Sequence, residues 1–188
     1  MLIFLDTEFT GLHQQTTLIS LGLVADCDRT FYAEFNDYDP HQLNPWLEAN
    51  VMPHLSFSDC ERHIPTLGDR HHRMKSDRAT IAQTLRTWFA QFHRIELWAD
   101  CPAYDWVLFC ELFGGSQQLP PGLHYNPYDL ATLFHCAGLD ATCDRAQFAG
   151  LSTLTLHNAL DDAKLAQACY HKLQSRRIYP QKIDTGGK

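Results

Sequence analysis

The sequence lacks the features of a membrane-spanning, secreted or disulfide-bonded protein. No apolar run reaches the length of about 20 residues that a membrane-spanning helix needs, and the first residues carry no basic segment of the kind found in signal peptides. The 7 cysteines are an odd number without a C-x-x-C pair, which argues against a disulfide framework or a zinc site. We therefore expect reduced thiols and a cytoplasmic protein.

Positive charge is also scarce. The chain has 15 Lys and Arg against 22 Asp and Glu, a net charge of -7, which excludes a broadly basic surface for nucleic acid. Local contact with nucleic acid stays open, because carboxylates that bind metal ions count as negative here. Residues 62–78, RHIPTLGDRHHRMKSDR, depart from the average and are expected to form a loop. This basic loop is either a solvated connection or a mobile lip over a phosphate-bearing substrate.

The order of the predicted elements indicates an α/β fold. The length of 188 residues fits one domain over residues 1–180, followed by a loose tail at residues 181–188. The apolar run at residues 2–5 predicts a first strand, and TTLISLGLVAD and TFYAEFN predict two more in an antiparallel meander. Later segments, among them RATIAQTLRTWFAQFH and AYDWVLFCELFG, alternate between helix and strand. This order is typical of a mixed central sheet flanked by helices.

Two acids follow the first predicted strand. Asp6 and Glu8 are two positions apart, so in extended chain both side chains project from the same face. Two like charges side by side are destabilising unless something neutralises them. Acidic residues that end a strand before a Gly turn also occur for structural reasons, so the pair alone leaves both interpretations open.

Two predicted helices carry an aspartate on their apolar face. Asp105 and Asp162 are each followed by apolar residues at helical spacing, whereas Asp161 shares a face with Lys164 and Lys172 and is predicted to be paired and solvent-facing. An ionised carboxylate directed inward is unfavourable unless it meets a cation. The structural alternative is that the helix dipole favours an acid in the first turn.

Together the four acids predict a metal site. Converging carboxylates suit hard divalent cations such as Mg²⁺ or Mn²⁺, and two ions about 3.5–4 Å apart suit in-line displacement at a phosphodiester. His157 lies five residues before Asp162 and is the candidate general base. In one regular helix the two side chains would point about 140° apart, so His157 is predicted on the loop or first turn. A histidine near a helix start is often incidental, which is the structural alternative.

The motifs DTEFTG, ADCPAYD and HNALDD, in this order, resemble the DEDDh class of 3′–5′ exonucleases on the ribonuclease H-like fold. The resemblance implies release of mononucleotides from a 3′ hydroxyl end. It also implies that His157 activates water as the general base and that two divalent cations are bound by Asp6, Glu8, Asp105 and Asp162.

The opening DTEF and the segment NPW further resemble a group of small bacterial exoribonucleases within this class. That resemblance implies single-stranded RNA or an RNA 3′ overhang as the substrate, with DNA less expected, and a homodimer. By analogy, contact with the terminal sugar and base is expected from Phe9, Thr10, Gly11 and Leu12. A packing role is an equal alternative for Phe9 and Leu12.

The middle motif departs from the family pattern at two positions. Many family members have His and Asn where this chain has Asp100 and Cys101, so substrate contacts are not carried over to these two positions. Asp129, which precedes a predicted helix, is expected to cap it.

Two rival functions fit parts of the sequence. LIFLDTEFTG superficially fits the D-x-D-x-T opening of a haloacid-dehalogenase-type phosphatase. That chemistry needs a distal Lys to hold the phosphoryl group, and none occurs between Lys75 and Lys164. A catalytically inactive nucleic-acid-binding module would be expected to have lost an acid or the histidine. The sequence therefore predicts a divalent-metal-dependent 3′–5′ exonuclease, for which the family resemblance implies a preference for RNA over DNA.

Overall fold

The structure is a computed structural model that describes residues 1–57 and 70–176. Its strands are β1 (Leu2–Phe9), β2 (Leu18–Ala25), β3 (Arg29–Phe35), β4 (His71–Ser76), β5 (Glu96–Ala99) and β6 (Tyr128–Asp129). Its α-helices are α1 (Pro45–Asn50), α2 (Arg78–Phe89), α3 (Ala103–Leu112), α4 (Leu130–Cys136), α5 (Arg145–Ala149) and α6 (Ala159–Ser175). Within the two described ranges, no helix combines the length and apolar character that crossing a bilayer requires.

The described strands form one mixed sheet in the order β4-β3-β2-β1-β5-β6. The β1–β2 and β2–β3 pairs are antiparallel, which confirms the predicted meander. The remaining pairs, β1–β5, β5–β6 and β3–β4, are parallel. Apolar side chains of α2 and α3 cover one face and those of α4 and α6 the other. This arrangement confirms the α/β class and is consistent with the ribonuclease H-like fold.

The prediction of a loop at residues 62–78 is wrong over its second half. β4 pairs in parallel with β3, from Thr30 opposite His71 to Phe35 opposite Ser76. Met74 is the one fully buried side chain of this strand, so the apolar alternation that marks a strand is nearly absent from its sequence. Residues 62–69 lie outside the described residues, as does the tail predicted at residues 181–188.

The structure confirms the helix predicted at RATIAQTLRTWFAQFH and the one predicted after Asp129. α2 buries Ile81, Leu85 and Trp88, the face expected from their helical spacing. The carboxylate of Asp129 accepts hydrogen bonds from the amides of Ala131 and Thr132 at the start of α4, which confirms the expected cap.

Alternation along β1 places the acids under α6. Phe4 points to the face that α6 covers, and Asp6 and Glu8 follow at intervals of two residues, so they share that face. Gly22, the partner of Asp6 on β2, makes the close approach possible. A Cβ at Gly22 would lie 2.2 Å from the carbonyl oxygen of Ala159, the first residue of α6. The N-terminal turn of α6 therefore rests directly on the sheet beside Asp6.

Candidate active site

The first two acids lie inside a strand rather than after it. The predicted end of the first strand at residue 5 is too early, because the hydrogen-bonded register with β2 continues through Asp6 opposite Gly22 and Glu8 opposite Ser20. The ladder becomes irregular only between Glu8 and Phe9. Because the residues before and after Asp6 also pair with β2, the backbone at Asp6 is held in the sheet, which suits a side chain that must be held in place.

Asp162 meets this pair from the first turn of α6. One carboxylate oxygen from each of Asp6, Glu8 and Asp162 can be chosen so that all three lie within 4.8 Å of one another. Asp161 points elsewhere: it pairs with Lys164 Nζ at 2.8 Å and accepts a hydrogen bond from the amide of Thr155. The structure therefore places Asp162 inward and Asp161 outward, as the helical faces predict.

Asp105 approaches from the first turn of α3 and is 8% exposed. Its Oδ1 accepts two hydrogen bonds from Thr7, one from the backbone amide at 3.0 Å and one from the hydroxyl at 2.5 Å. Asp105 lines the same pocket as the other acids, but it lies outside the tight group formed by Asp6, Glu8 and Asp162. The sequence analysis did not single out Thr7, although its place between the two acids of β1 is the signal that could have marked it.

His157 lies immediately before the N-cap of α6, on the loop as expected, and has a left-handed backbone with φ of 62°. Such a conformation is uncommon outside glycine and costs roughly 1–2 kcal/mol. The imidazole contacts the exposed ring of Trp46 edge to face, with ring centroids 5.0 Å apart. The next residue, Asn158, donates a side-chain hydrogen bond to the carbonyl of His54 at 2.8 Å. These contacts hold the loop against α1 and against the segment that follows it.

Burial raises the pKa of each of the four predicted metal-binding carboxyl groups, and repulsion from neighbouring carboxylates adds to the rise. Burial is the largest cause in every case. The pKa of Asp6 lies well above its ordinary value, and that of Glu8 rises to about 8 because of its burial, to which Asp162 and Asp105 add repulsion. The pKa values of Asp105 and Asp162 rise to about 6. Carboxylates that are at least partly buried and costly to ionise alone fit a site completed by divalent cations.

All five predicted catalytic residues line one pocket of about 400 Å³. They are Asp6, Glu8, Asp105, His157 and Asp162. Burial and repulsion from His54 lower the pKa of His157, so its ring is neutral and able to accept a proton near neutral pH. The pocket therefore combines a group of carboxylates with a neutral imidazole that can accept a proton.

Two lining residues were not predicted to act together. Arg145, at the start of α5, is the only cationic side chain among the described residues that line the pocket. It forms a two-pronged ion pair with Asp100, through Nε at 2.7 Å and a terminal nitrogen at 3.0 Å. A phosphatase of the rival type would need a free cation for the phosphoryl group, and Arg145 is already paired.

The four residues expected to contact the terminal nucleotide differ in their surroundings. Phe9 lines the pocket and stacks on Tyr104 at a centroid distance of 5.7 Å. The Thr10 hydroxyl is engaged with Gln42 and neighbouring threonines within the loop. Leu12 is 73% exposed, whereas a Cβ at Gly11 would lie 2.9 Å from the His13 ring. Substrate contact by these residues stays a prediction.

Comparison with known proteins agrees with the geometry. The family model described as the 3′–5′ exoribonuclease Rv2179c-like domain matches residues 1–174. The chain is 30% identical over 164 residues to the 3′–5′ exoribonuclease Rv2179c of Mycobacterium tuberculosis, with 87% of this chain and 88% of that protein covered. The 3′–5′ exoribonuclease MT2234.1, from another strain of the same organism, matches with the same identity and coverage. The chain therefore belongs to the family of Rv2179c-like 3′–5′ exoribonuclease domains.

Proposed function

We propose that the protein is a divalent-metal-dependent exoribonuclease that removes nucleoside 5′-monophosphates from the 3′ end of single-stranded RNA or of an RNA 3′ overhang. The observation that carries the proposal is the convergence of Asp6, Glu8 and Asp162 from two separate elements onto one point. Asp105 and His157 line the same pocket. Family membership supports the direction of attack and the RNA substrate.

Asp6, Glu8, Asp105 and Asp162 are the residues that would hold the metal ions. The raised pKa values of these carboxyl groups support this assignment, because a bound cation would remove the repulsion that makes their ionisation costly. When bound, two Mg²⁺ or Mn²⁺ ions lower the pKa of water and stabilise negative charge on the leaving oxygen. Thr7 supports the set by holding Asp105 with two hydrogen bonds.

His157 acts in this proposal as the general base. Its neutral imidazole takes a proton from the attacking water, the water oxygen bonds to phosphorus, and the bond from phosphorus to the 3′ oxygen of the preceding nucleotide breaks. The departing 3′ oxygen takes a proton from solvent water, His157 returns its own proton to solvent, and the released nucleotide keeps the phosphate on its 5′ carbon. The contact with Trp46 holds the imidazole at the pocket rim.

A labelled-strand experiment tests the proposal. Single-stranded RNA and DNA of matched sequence, labelled at the 5′ end, are incubated with the protein in Mg²⁺, in Mn²⁺ or in chelator. We expect the RNA to shorten one nucleotide at a time with either metal, the DNA to shorten more slowly, and both to stay intact in chelator. Asp162→Asn should abolish shortening, whereas the matched control Asp161→Asn should retain it.

Two results would contradict the proposal. Undiminished shortening in chelator would exclude metal dependence, and release of nucleoside 3′-monophosphates would place the broken bond on the wrong side of phosphorus. The homodimer implied by the resemblance also stays a proposal, and sedimentation velocity of the full chain tests it. The expected cytoplasmic location stays a prediction.

A further inference from the structure

A fifth carboxylate lies beside the proposed metal-binding acids. Asp100 follows β5 directly and lines the same pocket. Its negative charge contributes to the raised pKa values of Asp6 and Asp105. Its oxygens nevertheless belong to no tight group with Asp6, Glu8 or Asp162. Some interaction must therefore keep the Asp100 carboxylate from joining the proposed metal-binding acids.

That interaction is an ion pair with Arg145. Both oxygens of Asp100 accept hydrogen bonds from its guanidinium, at 2.7 and 3.0 Å. The pair is largely buried, with 13% of the Arg145 side chain and 27% of the Asp100 side chain exposed. A planar fork that matches a carboxylate in this way fixes its orientation as well as its charge.

The guanidinium has no donor left for a substrate. An arginine has five N–H groups, and the three that do not reach Asp100 donate to the carbonyls of Ala141 and Cys143 and to the sulfur of Cys143. The guanidinium also lies over the ring of Phe134, 4.1 Å from its centroid. Arg145 would have to break existing bonds before it could bind a phosphate.

We propose that Arg145 is a positioning residue that holds the Asp100 carboxylate away from Asp6, Glu8 and Asp162. The inference rests on the proposed function, since it concerns the metal site of that function. Arg145 acts through Asp100 and not on the RNA. A chain with an uncharged residue at position 100 would therefore have little need of it.

Four proteins test this dependence: the wild type, Asp100→Asn, Arg145→Met and the double variant. We expect Arg145→Met to lower kcat by about 10- to 100-fold, the range typical of losing a residue that orders the surroundings of a metal site. Asp100→Asn and the double variant should stay within about threefold of the wild type, because neither has a free carboxylate to restrain. Arg86→Met is the matched control. Arg86 also donates to carbonyls and lies over a phenylalanine ring, but it has no place in the pocket.

Mn²⁺ binding, measured by isothermal titration without RNA, separates positioning from general damage. The freed carboxylate of Arg145→Met adds negative charge to the site, so Mn²⁺ should bind about tenfold more tightly even though turnover falls. The double variant should return to the wild-type affinity. Equal impairment of Arg145→Met and the double variant would overturn the proposal. So would a higher KM and a reduced salt dependence in both, because Arg145 would then contact RNA directly.

Two further measurements keep the test decisive. Arg145→Lys keeps the charge but loses the fork, so its kcat should fall between those of the wild type and Arg145→Met. If Arg145→Met does not fold, the test is made with Arg145→Lys and Asp100→Asn. Urea unfolding in chelator should show that Arg145→Met is less stable than the double variant. This order of stability is expected whether or not the wild type binds Mn²⁺. Absence of Mn²⁺ binding by the wild type would refute the proposed function but not the role of Arg145 as the partner of Asp100. The reverse order of stability would refute that role.

Discussion

Replacing Asp162 with asparagine should make the metal-free protein more stable while it removes activity. In the metal-free wild type the partly buried Asp162 carboxylate lies close to Asp6 and Glu8, and burial followed by repulsion from Asp161 raises its pKa. Asparagine keeps the size of the side chain and an oxygen that accepts hydrogen bonds, but it carries no charge. The substitution therefore removes a cost of folding that only a bound metal would otherwise offset.

The size of the gain follows from the pKa. The pKa of Asp162 rises from 3.8 to about 6, and each unit corresponds to about 1.36 kcal/mol. The free energy of unfolding should therefore increase by about 3 kcal/mol at pH 7.5, and relief of repulsion on Glu8 adds to this. For a domain of this size the melting temperature should rise by roughly 6–12 °C.

The sign depends on pH in a defined way. The carboxyl is protonated in both the folded and the unfolded chain below about pH 3.8, so its stabilising contribution is then fully present and the variant gains nothing. The wild type loses stability as pH rises through the folded pKa of about 6, because the unfolded chain ionises more readily. The advantage of Asp162→Asn should accordingly appear between these two pH values and persist above them.

Thermal and urea unfolding in chelator, at pH 4 and at pH 7.5, measure this difference. The matched control is Asp161→Asn, which removes a partly buried ion pair with Lys164 and weakens the hydrogen bond from the Thr155 amide, and it should lose about 1 kcal/mol. Added Mn²⁺ should stabilise the wild type and the control more than Asp162→Asn. A gain that is absent at pH 7.5, or equally large at pH 4, would refute the reasoning, as would the same gain in Asp161→Asn.

Three further variants test the groups around the acids. His157→Ala should lower kcat by about 10²–10⁴-fold yet keep the Mn²⁺-induced rise in melting temperature; unchanged turnover would remove it as the base. Thr7→Val, which takes a hydroxyl donor from Asp105, should lower kcat by roughly 10-fold, whereas Thr7→Ser should not; equal rates for the two would show that the hydroxyl is dispensable. Trp46→Ala frees the His157 ring and should lower kcat more than it raises KM in steady-state assays; an effect confined to KM would make Trp46 a substrate contact instead.

The elements with strong periodicity could be predicted from the sequence. The meander and α2 follow from alternating or helical apolar positions, and both are present. β4 could not be predicted, because an edge strand with one fully buried side chain is stabilised mainly by its pairing with β3. Its polar composition is what an exposed sheet edge favours. Pairing between strands distant in sequence is a tertiary property that no local pattern records.

The acids of the site could be predicted because each breaks a local rule. Asp105 and Asp162 carry charge at the start of an apolar stripe, and Asp6 and Glu8 place two charges side by side in a strand. Such conflicts between local preference and global position are expected at functional sites. Their position in one pocket could then be inferred, because a bound cation would resolve all of these conflicts together.

Arg145 and Trp46 escaped prediction for the opposite reason, since each obeys its local rules. Arg145 opens a helix capped by Asp144, and Trp46 follows a proline in the first turn of another. Both are ordinary positions for such residues, and only the fold brings one against Asp100 and the other against His157. A site is therefore visible in a sequence to the extent that its residues are locally unfavourable. Residues such as Arg145 and Trp46, which contact the other groups of the pocket, become visible only when the chain is folded.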